Sequence, residues 1–147
     1  MGWTDEQREQ AERARQWLRR YRWIQADIKS AERTLAELRA MYDRIAQSFG
    51  ATASSPGGVS NRTANAAEKV LTAEEFLLLK IAEKTEVLRE ILEAIDRVEN
   101  GTYRSMLTCY FIDGMIWSEV GEIMRYENIW NMVTPALLAV EIPNKIE

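Results

Sequence analysis

Apolar residues form one long repeating pattern in the N-terminal third of the chain. They recur at spacings that alternate between four and three residues, which is typical of a helix packed along a coiled-coil seam. Thr4 and Gln7 match a helix-capping box, so we expect the helix to begin there and to end near residue 49. A helix of this length needs a partner along its whole seam. The seam positions are Trp17, Tyr21, Ile24, Ile28, Ala31, Leu35, Leu38, Tyr42, Ile45 and Phe49.

A second long helix is predicted from Ala66 to Glu99. Residues 50–65 are rich in Gly, Ser, Thr and Asn and contain Pro56, so we interpret them as a flexible loop. Asn100 and Gly101 are typical of a helix end. Residues 1–100 are therefore expected to form an antiparallel hairpin of two helices. The contact stripe of the second helix is expected at Val70, Leu77, Ile81, Leu88, Ile91, Ile95 and Val98, with Leu71, Leu78 and Leu92 beside it.

Residues 101–147 contain shorter amphipathic segments. Thr102 is expected to cap a first short helix that ends at Asp113 and Gly114. A second helix is predicted over Trp117–Met124, and a break near Arg125 leads to a third. Two short helices joined by a tight turn are typical of a helix-turn-helix. The inward positions are expected at Trp117, Val120, Ile123 and Met124 on the second helix and at Ile129, Met132, Val133, Ala136 and Leu137 on the third.

Together these patterns predict an all-α protein that forms one structural unit. Its fold is expected to be a long antiparallel two-helix coiled-coil hairpin followed by a small C-terminal helix-turn-helix. The composition agrees with a protein of this kind, because 46% of the residues are hydrophobic and the chain has 147 residues, enough for one modest core.

The composition also excludes several classes of catalytic and metal site. The sequence has no His, which excludes histidine-based triads, imidazole catalysis and histidine metal ligands. Cys109 is the single Cys, so no disulfide forms within the chain and a reducing compartment is favoured. We therefore predict no catalytic residue, no metal ligand and no cofactor, and we expect the protein not to be an enzyme.

Hydropathy and charge bear on location and partners. No run of 18 apolar residues occurs and the polar N-terminus is not typical of a signal peptide, so we expect a cytoplasmic protein with no membrane partner. The net charge is -4, yet residues 1–50 carry ten Lys or Arg against eight Asp or Glu, whereas residues 101–147 carry three against six. A cationic surface is therefore expected on the first helix.

Basic side chains form a stripe on the outward face of that helix. The stripe consists of Arg8, Arg15, Arg22 and Lys29 at seven-residue intervals, with Arg19 and Arg33 beside them. Such a stripe can follow a phosphate backbone or an acidic partner, and it is also an ordinary solvated coiled-coil face. If the protein binds DNA, we expect Arg15, Arg19 and Arg22 to contact phosphates, together with Arg125 in the predicted turn.

Three residues near the start of the last helix are candidates for contacts with base edges: Asn128, Trp130 and Asn131. An Asn side chain pairs well with adenine in the major groove, and a Trp can pack against a sugar or base. The alternative is that Trp130 completes a protein interface while the two Asn residues are simply solvated. Both interpretations are open from the sequence.

The segment Tyr103–Tyr126, YRSMLTCYFIDGMIWSEVGEIMRY, resembles the C-terminal part of the ArpU/RinA-type phage transcription regulators. Those proteins end in a helix-turn-helix similar to the last region of bacterial sigma factors. The charged N-terminal helix, the Pro-Gly-Gly linker and the run ILEAIDRVENGTYR also fit, so the likeness covers most of the chain. It implies double-stranded DNA and host RNA polymerase as partners, in the cytoplasm of a bacterial host. The matching residues are Tyr103, Arg104, Leu107, Tyr110, Ile112, Asp113, Gly114, Trp117, Glu119, Val120, Met124 and Tyr126.

The sequence departs from the family pattern where DNA would be read. Ile116 stands where the pattern has a capping Thr, and Arg125 stands where it has Gly. Asn131 and Val133 take the places of an Arg and a His, and Pro135 restrains the backbone of the last helix. The predicted reading helix therefore offers little positive charge.

Two functions follow from these observations. The first is a phage-type DNA-binding transcription regulator of late genes that acts through host RNA polymerase. The second is an oligomeric scaffold or adaptor, or a small terminase-like subunit, whose helix-turn-helix serves protein contacts. The single Arg in residues 125–135 favours the second, and the fit of Tyr103–Tyr126 favours the first. In both cases the wide apolar stripe of the second helix, with Trp3 and Trp23 off the main seam, predicts a homodimer.

Overall fold

The computed structural model describes residues 2–51 and 56–143, with the side chains of residues 2–48 and 61–143. The described residues are mostly helical and contain no strand, which confirms the all-α class. The chain divides into two compact units, one made of the residues up to Trp23 together with those from Lys84 onward, and the other made of Ile24–Glu83. The helices are α1 (Asp5–Leu18), α2 (Arg20–Ala51), α3 (Pro56–Asp96), α4 (Gly101–Leu107), α5 (Trp117–Met124) and α6 (Trp130–Leu138), with a π-helical turn at Thr108–Ile112.

The N-terminal helical segment begins at the predicted capping box. The Thr4 amide donates to the Gln7 side-chain oxygen at 2.9 Å, and the Gln7 amide donates to the Thr4 hydroxyl at 3.1 Å. The segment bends at Arg19, whose amide still donates to the Arg15 carbonyl at 3.0 Å. The single helix predicted over residues 4–49 is therefore two helices. The two helices pack against different neighbours: α1 packs against α6, whereas α2 lies beside α3.

In the unit Ile24–Glu83, α2 and α3 run antiparallel. Two ion pairs set their register: Arg39 Nη2 lies 2.6 Å from a Glu74 carboxylate oxygen, and Lys80 Nζ lies 3.9 Å from an Asp27 carboxylate oxygen. Between these pairs the seam residues Ile28, Ala31 and Leu35 are buried, and Leu35 is 5% exposed. Seam burial lessens toward the end of α2, where Leu38, Tyr42 and Ile45 are half-buried, and the Phe49 side chain lies outside the described residues.

Only part of the contact stripe predicted for the second helix is buried. Ile91, Ile95 and Val98 are buried as expected, whereas Ile81 is 41% exposed. Val70, Leu77 and Leu88 are only half-buried. The hydrophobic pattern of a single sequence identifies an apolar stripe on a helix. It does not show how much of that stripe a neighbouring helix covers. The flanking residues Leu71, Leu78 and Leu92 are all exposed.

The predicted loop at 50–65 is wrong over most of its length. Gly50 is part of α2, and α3 begins at Pro56, ten residues before Ala66. Residues 52–55 lie outside the described residues. The physical reason is that a Pro is favourable in the first turn of a helix, where its missing amide costs no intrahelical hydrogen bond. Gly57 and Gly58 follow in that same turn, so they weaken the helical signal without ending the helix.

The other unit is built around α1, α4 and α6, since α6 packs against both α1 and α4. α3 ends at Asp96, and Asn100 caps α4 by accepting a hydrogen bond from the Tyr103 amide at 3.1 Å. The predictions that Asn100 ends the second helix and that Thr102 caps the next one were wrong by a few residues, because an Asn is itself a strong N-cap. The core residues of this unit are Ala11, Ala14, Leu18, Ile91, Met106, Leu107, Phe111, Val120, Ile129 and Leu137.

The π-helical turn after α4 brings three aromatic side chains together. The Asp113 amide donates to the Thr108 carbonyl at 2.9 Å, and Gly114, with a φ of 80°, ends the segment at the predicted place. The rings of Tyr110 and Trp117 stack with centroids 4.0 Å apart and an angle of 4° between their planes. Phe111 meets the Trp117 ring edge-on. This cluster holds the start of α5 against the π-helical turn.

Candidate nucleic-acid interface

α5 forms over the predicted residues, although its N-cap residue has no side-chain acceptor. Ile116 occupies the cap, and its amide donates to a Glu119 carboxylate oxygen at 3.1 Å. This is one half of a capping box, and the missing half is the hydroxyl that a Thr would supply. Glu119 therefore has a structural partner at the start of α5.

The connection between α5 and α6 turns sharply at Arg125. This residue has φ 63° and ψ 41°, in the left-handed region that Gly adopts most easily. The Tyr126 amide donates to the Gly121 carbonyl at 2.9 Å, which closes the last turn of α5. The predicted break is confirmed, and it is built by an Arg in the position where the family pattern has Gly.

Gly121 determines how closely the chain after the turn approaches α5. A Cβ at this position would lie 3.0 Å from the Tyr126 carbonyl oxygen and 3.2 Å from the Ile129 Cβ. Ile129 itself is 1% exposed, and Val120 beside Gly121 is fully buried. Sequence reasoning missed Gly121, although a Gly inside a short amphipathic helix is a signal of close packing.

The candidate base-contacting residues lie together on the surface. Asn128, Trp130 and Asn131 are exposed, and the Trp130 side chain is 59% exposed. Asn128 belongs to the turn, and α6 begins at Trp130, so the predicted start of the third helix is confirmed to within two residues. The two Asn side chains have no hydrogen-bond partner within the described residues, and Arg125 is exposed without an ion pair there.

The three N-terminal arginines assigned to phosphates differ in their surroundings. Arg15 Nε lies 3.3 Å from a Glu12 carboxylate oxygen, and the side chain is 27% exposed. Arg19 Nε is buried and has no hydrogen-bond partner within the described residues. Arg22 donates to the Tyr110 carbonyl at 3.1 Å, and its guanidinium lies 5.0 Å from the centre of the Tyr110 ring. The arginines therefore do not form one uniform free surface, because Arg22 also fastens α2 to the π-helical turn.

Apolar side chains are also exposed along α5 and at the turn, and their exposure was not predicted from the sequence pattern. Ile116 and Ile123 are each 60% exposed, and Tyr126 is 43% exposed. The inward placement predicted for Ile123 was wrong, because α5 has only eight residues and its narrow buried face is filled by Val120 and Gly121. Two further residues nearby, Glu122 and Glu127, are acidic and exposed. The surface therefore combines apolar and anionic groups with one cation.

A shallow groove of about 420 Å³ lies at the turn. Its lining includes Ser118, Gly121, Arg125, Ile129 and Trp130. The groove is shallow and open to solvent, so it suits a side chain of a larger partner rather than an enclosed small molecule.

Chemical sites of other kinds are not evident in the described residues. No cluster of three Cys, Asp or Glu side chains there could hold a metal ion. Burial, with a smaller contribution from the Asp113 charge, raises the pKa of the Cys109 thiol above its usual value, so the protonated form dominates at neutral pH. None of the described helices combines the length and the apolarity that a membrane-crossing segment requires.

Comparison with known proteins identifies no relative of this chain. The chain matches no protein-family model, no curated protein and no solved structure. The resemblance of Tyr103–Tyr126 to the ArpU/RinA-type regulators therefore stays a prediction from the sequence pattern.

Proposed function

We propose that the protein is a DNA-binding transcription regulator of the phage late-gene type, with α5 and α6 as its helix-turn-helix. The observation that carries the proposal is the group of exposed side chains at the N-terminal end of α6, called here the head of α6. Asn128 and Asn131 present amides without partners among the described residues, Trp130 stands beside them, and Arg125 supplies a neighbouring cation. These are the donor, acceptor and stacking groups that direct readout requires.

The two-helix assignment is supported by the packing at the turn. A recognition helix must be held rigidly, because base contacts depend on its position in the groove. The left-handed Arg125 and the close approach of Gly121 to Ile129 provide that rigidity. In this proposal, α2 and α3 form the antiparallel coiled-coil hairpin, and the protein acts as a homo-oligomer whose symmetry places two reading helices on one site.

Regulation also needs a contact with the transcription machinery. As the family resemblance implies, we assign that contact to host RNA polymerase. The exposed outer face of α5, with Ile116 and Ile123, has the apolar character of a protein-binding surface. The regulator would thus use the head of α6 for DNA and the outer face of α5 for polymerase.

The second candidate function is a helical scaffold or adaptor, including a small terminase-like subunit. It is favoured by the charge of the same surface, where Glu122 and Glu127 outnumber the single cation Arg125. Phosphates repel such a surface, whereas a protein partner with basic and apolar groups would fit it. In this case the helix-turn-helix would serve only protein contacts.

A mobility-shift assay with fragments of phage genomic DNA separates the two functions. Binding should be measured over a salt series that starts low, where attraction to phosphates is strongest. For a regulator we expect one group of fragments to shift at protein concentrations at which the others do not. The absence of any shift at the lowest salt would reject the DNA-binding proposal and leave the adaptor. A shift of all fragments alike would reject sequence-directed regulation.

A further inference from the structure

The head of α6 offers a base pair only a narrow set of chemical groups. α6 itself, WNMVTPALL, contains no charged residue, and residues 126–138 contain no Lys or Arg. Asn128 and Asn131 are the exposed amide side chains, and the hydroxyl residue Thr134 is half-buried. Arg and Lys are the side chains that commonly pair with guanine, whereas a hydroxyl pairs with any base. The reading helix therefore lacks the usual partner of guanine.

The two exposed Asn residues lie one turn apart. The backbone N–H of Asn131 donates to the Asn128 carbonyl at 3.1 Å, so both residues belong to the first turn of the reading helix. Side chains three residues apart on such a turn have Cβ atoms about 5–6 Å apart. Successive bases of one DNA strand are about 3.4 Å apart. The two side chains can therefore reach base pairs that are adjacent or separated by one pair.

A carboxamide side chain distinguishes adenine from guanine by its own hydrogen-bonding groups. It has one donor side and one acceptor side, and adenine presents the matching N7 acceptor and N6 donor in the major groove. Guanine presents two acceptors, N7 and O6. An Asn that donates to guanine N7 would place its own oxygen against O6, without a hydrogen atom between them. Asn128 and Asn131 therefore favour adenine.

Trp130 adds an apolar group beside these amides. It directly precedes Asn131 and is 59% exposed. Thymine carries a C5 methyl group in the major groove, and apolar side chains contact this methyl, which cytosine lacks. Trp130 is therefore suited to the thymine that pairs with an adenine bound by Asn131.

Two charged side chains precede this set in the turn, Arg125 and Glu127, and both are exposed. Base contacts of a helix-turn-helix come chiefly from the N-terminal residues of the second helix, and Arg125 instead ends α5 in the left-handed conformation. We therefore assign Arg125 to a phosphate. Glu127 is a carboxylate that could accept from cytosine N4, but the phosphates on both sides of the groove repel it. Neither residue changes the preference that the amides set.

We propose that the head of α6 reads A·T base pairs in the major groove, with Asn128 and Asn131 on adenine and Trp130 on a thymine methyl group. The inference rests on the proposed DNA-binding function and adds the base composition of the site. The preferred sequence contains at least two A·T pairs that are adjacent or separated by one pair.

Selection from a library of random duplexes tests this composition. The full-length protein is used at low salt, and the enriched duplexes are sequenced. We expect them to share A·T pairs at the stated spacing, and replacement of one such pair by G·C should weaken binding roughly 5- to 150-fold. A requirement for G·C pairs would overturn the inference and leave DNA binding intact. The absence of any binding would reject the proposed function and the inference together.

Inosine·cytosine pairs separate base reading from duplex shape. Such a pair has the major-groove groups of G·C and the minor-groove groups of A·T. A duplex with inosine·cytosine at the selected positions should therefore bind as weakly as the G·C duplex. Binding as tight as that of the A·T duplex would show readout of the minor groove or of its width, and it would overturn the major-groove assignment.

Substitutions at the head of α6 assign each contact to its base. Asn131→Ala should abolish the discrimination between A·T and G·C at one base pair. Replacement of thymine by uracil removes the methyl group, so it should weaken binding of the wild type but not of Trp130→Ala. Both residues are exposed, so the variants should keep the circular dichroism of the wild type. Unchanged discrimination in both variants would overturn the assignment.

Two control variants locate the source of the selectivity. Asn65→Ala removes an exposed Asn from α3, far along the chain from the reading helix, and should leave affinity and selectivity unchanged. Arg125→Ala should lower the affinity for every duplex and keep the preference for A·T pairs. Loss of that preference in either control would place base reading outside the amides of α6 and overturn the proposal.

Discussion

Gly121 and Ile129 lie so close that the residue at position 121 cannot carry a side chain without displacing its neighbour. A Cβ there would lie 3.2 Å from the Ile129 Cβ and 3.0 Å from the carbonyl oxygen of Tyr126. Rotation of a side chain cannot relieve either contact, because one atom is backbone and the other is the first carbon of a buried residue. The spacing between α5 and the chain entering α6 therefore depends on this Gly.

We expect Gly121→Ala to destabilise the protein, although the same change usually stabilises a helix. The gain in helix propensity is about 1 kcal/mol, but overpacking a close contact costs roughly 1–3 kcal/mol. Urea unfolding should therefore show a lower free energy of unfolding. Gly101→Ala is the control, because its nearest neighbour is the Arg104 guanidinium at 3.4 Å, the end of a flexible side chain. Equal stabilisation by both substitutions would contradict the close contact.

Arg125→Gly should act in opposite directions on stability and on DNA binding. A non-Gly residue in the left-handed region costs roughly 1 kcal/mol, so Gly at φ 63° should raise the free energy of unfolding by about that amount. The same change removes a cation next to the reading surface, so DNA affinity should fall. Thermal unfolding and a mobility-shift assay would measure the two effects. A fall in both would show that the Arg side chain itself supports the turn.

Hydrophobic periodicity correctly predicted the helix bounds and the buried faces that a regular apolar pattern within one segment defines. The seam from Tyr21 to Leu35 and the bounds of α5 are of this kind, because a regular apolar face fixes both the helix and its inward side. The loop prediction failed at Pro56 because Pro and Gly are equally compatible with a loop and with the first turn of a helix. Composition alone cannot separate these two cases.

The candidate site was predictable in its position but not in its surroundings. Asn128, Trp130 and Asn131 are exposed as a binding role requires, and that follows from their polar or off-face positions. The contact of Arg22 with Tyr110 joins residues far apart in the sequence, so no local pattern could show it. The exposure of Ile123 likewise depends on which neighbours pack against α5.

Substitution in the seam tests the burial that periodicity predicted. Leu35 is 5% exposed, so Leu35→Asp would bury a charge without a partner and should unfold the helical pair. Even the loss of the Leu side chain alone costs about 2–5 kcal/mol in a core. Leu88 is only half-buried, so Leu88→Asp should cost less. Circular dichroism and urea unfolding would rank the two variants, and a larger effect at Leu88 would contradict the packing described for α2.

If the head of α6 reads DNA, residues at the turn should affect binding in two distinct ways. Asn131→Ala removes a base-edge contact, so it should cost about 1–3 kcal/mol on the preferred fragment and little on random DNA. Asn128→Ala should behave in the same way. Arg125→Ala removes a phosphate contact, so it should weaken binding to all fragments alike and reduce the salt slope by about one unit.

Arg15 and Arg22 have different surroundings, so substitutions at these two residues should differ in their effects on DNA affinity and on stability. The ion-pair partner of Arg15 is the exposed Glu12, so Arg15→Gln, which keeps most of the packed stem of this 27% exposed side chain, should weaken DNA binding uniformly and leave the free energy of unfolding nearly unchanged. Arg22 holds the Tyr110 carbonyl and ring, so Arg22→Ala should lower stability as well. Fluorescence anisotropy with labelled DNA and urea unfolding on the same samples would separate the two effects. Unchanged affinity in both variants would remove α1 and α2 from the DNA interface and confine binding to the turn.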